Sequence, residues 1–476
     1  MAREEDEDPD FPFPLSDVSN GEWCPRPPSA RQRAAAELLG AEAERRARRL
    51  GMSRREFLRS AAGTATAFWV LNTVHGLPSS GGAAVLPVDP AQCDDPETAG
   101  ELFAADYFVM DVQLHHVDLE AYGDVPALGC LRFYPPGDQC TPGGLELLSQ
   151  ANLVKEVFVD SETAVGVISG VPDGYPMPVD TMAATRDLVN QLAGTERALS
   201  QAMCDPKAAP GTQTALDGLE RQVTELGGRA LKCYTGNGNW FLDDETVAYP
   251  MLAEAQRLGL DVINVHKGLP ALLGSGAEDF VRSRDLPKAL RDWNELRFVA
   301  YHSGYFPGEG IGEFLGVVKS IPRKHRKRLY AELGSCFATA FLESPESAAH
   351  LVGALLKALG PKQIVWGTDS IWWGSPQWQI DAFKALVIPE KMQRRYGYPP
   401  LTKKAKARIL GLNAAKLYGV DPKAARCTIA GDALAKLQAE QGGVRASRTH
   451  RVYGPRTRAS YEALLAHAAG RARTTA

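Results

Sequence analysis

From about residue 105 to residue 420 the chain repeats one theme: a short apolar, β-branched run, a polar or Gly-containing loop, then an amphipathic stretch. The apolar runs predict strands at 107–116 (YFVMDVQLHH), 164–169 (AVGVIS), 229–235 (RALKCYT), 261–266 (DVINVH), 297–302 (RFVAYH), 328–334 (RLYAELG) and 363–369 (QIVWGTD), with a weaker one near 200–206. Between them, segments such as TQTALDGLERQVTEL and ESAAHLVGALLKALG carry helical spacing. Near-continuous apolar strands alternating with helices predict a parallel sheet covered on its outer face. Lys232, His266, His302, Glu332 and Asp369 each stand near the end of a predicted strand, at steps of 34, 36, 30 and 37 residues. Eight such units occupy roughly 250 residues, and the 316 residues from 105 to 420 accommodate them with an insertion after the first strand. An open doubly wound sheet would place its binding loop at a switch point, not a polar residue at the end of strand after strand. The spacing therefore predicts an α/β fold, a (β/α)8 TIM barrel over 86–420.

The flanks read differently and are expected to stand outside the barrel. Residues 1–51 open with an acidic, Pro-rich stretch that cannot bury a core, followed by an Ala/Glu/Arg helix former. Within 52–85, Ser53-Arg54-Arg55-Glu56-Phe57-Leu58-Arg59 precedes an apolar run over 61–74 that is too short to span a bilayer. This pattern resembles a twin-arginine export signal, an address read by a receptor. The resemblance implies the export machinery as a partner and a periplasmic or secreted location. An Arg-rich helix leading into a buried one is the alternative. Met52 is a second candidate start. Export would permit disulfides, with Cys130 and Cys140 a candidate pair whose connectivity stays open. Cys233 and Cys336 fall in predicted strands and read as inert buried thiols. Residues 421–476 read as a basic tail, with seven Arg and one Glu from Gln441 to Ala476.

Composition narrows the class. The 476 residues carry 53 basic and 57 acidic side chains, a net charge of −4, which argues against a nucleic-acid partner. No apolar run is long enough for a transmembrane helix. An enzyme or a small-molecule binding protein remains, and a homo-oligomer stays open. In a barrel the chemistry sits at the carboxyl ends of the strands. Three of the nine His, together with an Asp, close separate strands there. One such His is usually a core residue, but several at one topological level predict a site. Imidazole and carboxylate are ligands that Zn²⁺ or a similar divalent ion prefers, with one position left open for water or substrate. Strand alternation puts Asp111, Gln113 and His115 on one face and His116 on the other. Trp240, Trp372, Trp373 and Trp378 follow predicted strand ends and read equally as an aromatic pocket or as loop packing. No GxSxG, HExxH, CxxC or GxxxxGK[ST] motif occurs.

Taken together, DxQxH at the first strand, HKG at the fifth, HSG at the sixth, GTDS at the eighth and the closing ILGLNAAKLYGV resemble the amidohydrolase superfamily, in its branch of amidohydrolase-related metal-dependent hydrolases, over residues 105–420. The resemblance implies His115, His266 and Asp369 as metal ligands for one divalent ion per chain, expected to be zinc. It implies Asp369 as general base and His302 as the group that polarises substrate or shuttles a proton. Lys232 stands where some relatives hold a bridging carbamylated lysine, and Lys232, Glu332, Trp240 and Trp372 are the expected substrate contacts. Gln113 departs from the pattern, because an imidazole is expected there. An amide oxygen is a weaker, neutral ligand, so metal affinity is expected to fall or to shift to a harder ion. Hydrolysis of a C–N or C–O bond is the leading expectation. Decarboxylation on the same residues is the alternative, and a metal-free binding protein on a degraded barrel is the third.

Overall fold

The computed structural model describes residues 11–16, 19, 23–118, 148–172, 177–208, 210–270, 276–444, 458–459 and 461–462. Its strands are β1 Val109–Leu114, β2 Thr163–Ile168, β3 Ala198–Ser200, β4 Ala202–Met203, β5 Leu231–Cys233, β6 Val262–Gly268, β7 Arg297–Tyr305, β8 Leu329–Glu332 and β9 Ile364–Val365. They pair in parallel and in sequence order. Gln201 alone separates β3 from β4, so the two run as one stave, and nine segments make eight staves. The ring closes where the chain beyond β9 meets β1. There Val112 N–H donates to Trp366 O (3.0 Å), Asp369 N–H to Gln113 O (3.1 Å) and Ile371 N–H to His115 O (3.0 Å). The fold is the predicted (β/α)8 barrel.

Alternation along the strands sorts apolar side chains into two cores. Met110, Val112, Val165, Val167, Val299 and Val365 fill the barrel interior, closed at its amino end by Leu417 and Tyr418 of the helix Asn413–Tyr418. Val109, Ile168, Ile263, Val265 and Phe298 face the larger core under the helices. Above the interior apolar layer lies a polar one. Gln201 Nε2 donates to the Tyr301 hydroxyl (2.6 Å), which donates to Val112 O (2.6 Å), so buried polar groups there are paired within the barrel.

Parts of the flanks expected to lie outside the barrel are packed on it. The helices Ala30–Arg49, Arg54–Leu58 and Ala61–Val74 bury Leu39, Phe57, Leu58 and Phe68 in the same core as the barrel helices. Phe68 meets Phe341 at 5.9 Å and Phe13 at 5.6 Å between ring centroids, and Phe13 stacks on Trp378 at 6.1 Å. The apolar run that resembles an export signal is thus a core helix of the folded chain. At the other end, helices Pro422–Ile429 and Ala433–Glu440 replace the first part of the expected tail. Asp432 docks there on buried Arg197 at 3.0 Å. No helix among the described residues is long and apolar enough to cross a membrane. Cys233 and Cys336 are free and buried, and burial pushes both thiols up, away from reactivity. Cys130 and Cys140 lie outside the described residues.

Candidate active site

The polar residues at the strand ends meet at the carboxyl end of the barrel, and the centre of the cluster is Gln113. Its amide nitrogen stands 2.9 Å from Asp369 Oδ1, 3.3 Å from His115 Nε2 and 3.3 Å from His302 Nε2. All four side chains are buried. An amide has two hydrogens to give, and a neutral imidazole has one. His115 Nε2 also lies 3.2 Å from Asp369 Oδ1. Counting donors therefore assigns the Gln113 hydrogens to Asp369 and His302, and the His115 Nε2–H to Asp369. Asp369 Oδ2 accepts from the Ser335 hydroxyl, which in turn accepts from Trp373 Nε1–H at 2.9 Å.

Electrostatics follow from this enclosure. Burial would push the Asp369 carboxyl up, but the His115 hydrogen bond, the nearby imidazoles and Ser335 hold it below the usual carboxylate range. Burial brings His302 down to about 3, so its ring is neutral, and it drives His266 the same way. Burial also raises Glu332 well above its ordinary value. Glu332 Oε2 accepts the His302 backbone N–H at 2.8 Å, and Ser303 Oγ–H bonds to its carbonyl at 2.7 Å. This fastens an unusual turn at the end of β7, where His302 (φ 60°), Ser303 (φ 51°) and Gly304 (φ 62°) are all left-handed. Asp369 (φ 58°), Leu269 (φ 42°) and Asn239 (φ 56°) share that conformation. These non-glycine outliers all fall at carboxyl ends of strands or just beyond, as expected where a site is held against local preference. Gly367 lets Glu332 in: a Cβ there would stand 2.0 Å from its Oε1.

The remaining expected residues separate. Lys232 Nζ lies over the Tyr301 ring at 3.5 Å and near the Tyr234 ring at 4.8 Å, a cation held by aromatic faces. Trp372 stacks on His115 at 5.9 Å. Trp240 is instead packed in the large apolar core, because its ring is almost fully buried there. His266 contacts the His302 ring at 4.8 Å, but its Nε2 faces Leu269 O at 3.1 Å. Asp111 leaves the face it was expected to share with Gln113. An irregularity in the β1–β2 register follows it, and its carboxylate accepts from Gln113 N–H (3.0 Å) and Thr368 N–H (3.2 Å). His116 turns away, as alternation predicts, to Thr185 Oγ1 at 2.8 Å. Ser335 and Asp285 had no sequence signal. Asp285 pairs at 2.7 Å with the wholly buried Lys267 of the HKG motif, eighteen residues away in the chain.

Among the described residues no group of three His, Cys, Asp or Glu side chains is disposed to hold an ion. The reason is local. The point on which His115, His302 and Asp369 converge carries the Gln113 amide nitrogen, a donor. Gln113 Oε1, the atom expected as ligand, is directed instead toward Gly334. The set as arranged does not fit the ion.

A family model described as amidohydrolase matches residues 168–420, more than half of the chain. No curated protein matches. Among solved structures, the chain is similar to 5-carboxyvanillate decarboxylase from Sphingomonas paucimobilis, with 14% identity, 66% of this chain and 100% of that one covered, and a TM-score of 0.42. It is similar to 2,6-dihydroxybenzoate decarboxylase from Rhizobium at 16% identity, 66% and 99% coverage and a TM-score of 0.41. It is also similar to a probable 2-pyrone-4,6-dicarboxylic acid hydrolase from Acinetobacter baumannii at 14% identity, 65% and 99% coverage and a TM-score of 0.41.

Proposed function

The chain belongs to the amidohydrolase family, and from that premise we propose that it is an enzyme hydrolysing a C–N or C–O bond of a small organic substrate at the carboxyl end of its barrel. The observation that carries this reading is the convergence of Asp369, His115 and His302 on one buried point. Asp369, kept ionised, takes the proton of the attacking water and returns it to the leaving group, while neutral His302 polarises the substrate through its remaining ring N–H, at Nδ1. His115 and Ser335 hold the Asp369 carboxylate in place through one oxygen each. A second reading is decarboxylation of an aromatic or unsaturated acid. It is favoured by Lys232, a buried cation able to meet a substrate carboxylate, and by the Trp372 ring stacked beside His115.

The test is turnover by the purified chain over a panel of esters, lactones, amides and aromatic carboxylic acids, following acid release and carbon dioxide separately. Hydrolysis that falls by about 10³-fold in both Asp369→Asn and His302→Asn is expected. Carbon dioxide release with the same sensitivity supports the second reading. Turnover indifferent to both substitutions, or none across the panel, would sink both.

A further inference from the structure

At the opposite end of the barrel, a cavity of about 470 Å³ opens between the amino ends of β8 and β9. Its walls carry Arg323, Arg326, Lys327, Lys362, Arg408 and Lys416 and no acidic side chain. These cations come from separate pieces of chain: the segment leading into β8, the loop leading into β9, and the helical stretches over 408–412 and 413–418. Among the described residues none of the six forms an ion pair, and Arg326 alone makes a side-chain hydrogen bond, to Val318 O at 3.4 Å. Elsewhere the surface behaves otherwise. Arg221 pairs with Asp180, Arg257 with Glu220 at 2.8 Å and Arg282 with Glu309 at 3.2 Å. Carboxylates are not scarce, since the chain has 57 acidic against 53 basic side chains. Six like charges gathered around one concavity repel each other, and an anion bound among them relieves that repulsion.

We propose that this cavity is a binding site for a small polyanion carrying a chain of phosphates. Its volume lies within the range of ligand pockets, well above the need of a single phosphate. Guanidinium groups supply forked donors that match phosphate oxygens, and the lysines add point charge. Tyr330 on the wall offers a ring to a base if the phosphate chain belongs to a nucleotide. The site is independent of the reaction at the other end, so its failure and that of the hydrolase reading are distinguishable.

Calorimetric titration of the full chain with tripolyphosphate, adenosine triphosphate and orthophosphate in 0.15 M salt tests it. One site per chain is expected, with tripolyphosphate at least about tenfold tighter than orthophosphate. Nucleotide binding tighter than tripolyphosphate identifies a nucleotide as the source; equal affinity identifies the bare phosphate chain. The exposed Lys362→Glu and Lys416→Glu changes should each weaken binding about tenfold or more. Lys391→Glu, which makes the same charge change outside the cavity, should leave it within about threefold. No saturable binding of tripolyphosphate, or an equal loss in the Lys391→Glu control, would overturn the proposal.

Discussion

At the carboxyl end of the barrel, Lys267 is wholly buried and meets Asp285 at 2.7 Å, with Phe280 O and Arg282 O each 3.1 Å from the same ammonium. At the amino end, six cations line one cavity with no carboxylate among them. The first arrangement fixes charge by enclosing it, so each group there has one position. The second leaves charge at the surface, where water screens it and a ligand can use it. Burial explains the difference: a charge removed from water must be paired, and one left in water need not be.

The largest expected change is one of chemical state. Gln113→His removes the amide donor from the convergence point and adds a third imidazole beside His115 and Asp369. Elemental analysis should find about one divalent ion per chain in the variant and no stoichiometric ion in the wild type. A wild-type chain holding an ion as tightly as the variant would show that the Gln113 amide gives way, and would return the metal to the mechanism.

Next comes Asp285→Ala, which strands the Lys267 ammonium. It should cost about 3–5 kcal/mol in chemical unfolding. A cost under about 1 kcal/mol would mean that water reaches Lys267 and that the carboxyl end is less enclosed than its burial implies.

Acid should weaken the carboxyl end. Burial brings His302 down to about 3 and His116 down to about 4, from an ordinary 6.5. Between those values the unfolded chain binds protons that the folded one refuses, so stability falls as pH falls. This contribution is intact above about pH 6.5 and lost progressively toward pH 4, on the order of 3 kcal/mol for each imidazole. Unfolding midpoints between pH 7 and 4.5 measure it, and His116→Gln should flatten the slope.

The smallest effect has the opposite sign. Without ligand, Lys416→Glu should stabilise the chain by a few tenths of a kcal/mol, because it relieves repulsion among exposed like charges. Destabilisation would mean that the six cations are structurally compensated, and the contrast between the ends would lose its basis.

The strand–helix alternation, its step and the level at which His266, His302, Glu332 and Asp369 appear were legible in the sequence, because strand and helix periods are local and a barrel repeats them eight times. Local pattern could not place the ends of the chain. A fourteen-residue apolar run has the same composition as an export signal or as a core helix, and its packing through Phe68 on Phe13 and Phe341 appears only in the tertiary structure. The same holds inside the site. Gln113 announced a departure, but whether its oxygen or its nitrogen faces the histidines depends on His302 and Asp369, 189 and 256 residues away. Ser335, Asp285 and the six cations carry no motif at all. Periodicity fixes which elements form and in what order; which side chains meet is decided by long-range closure of the barrel, and that closure exists only in three dimensions.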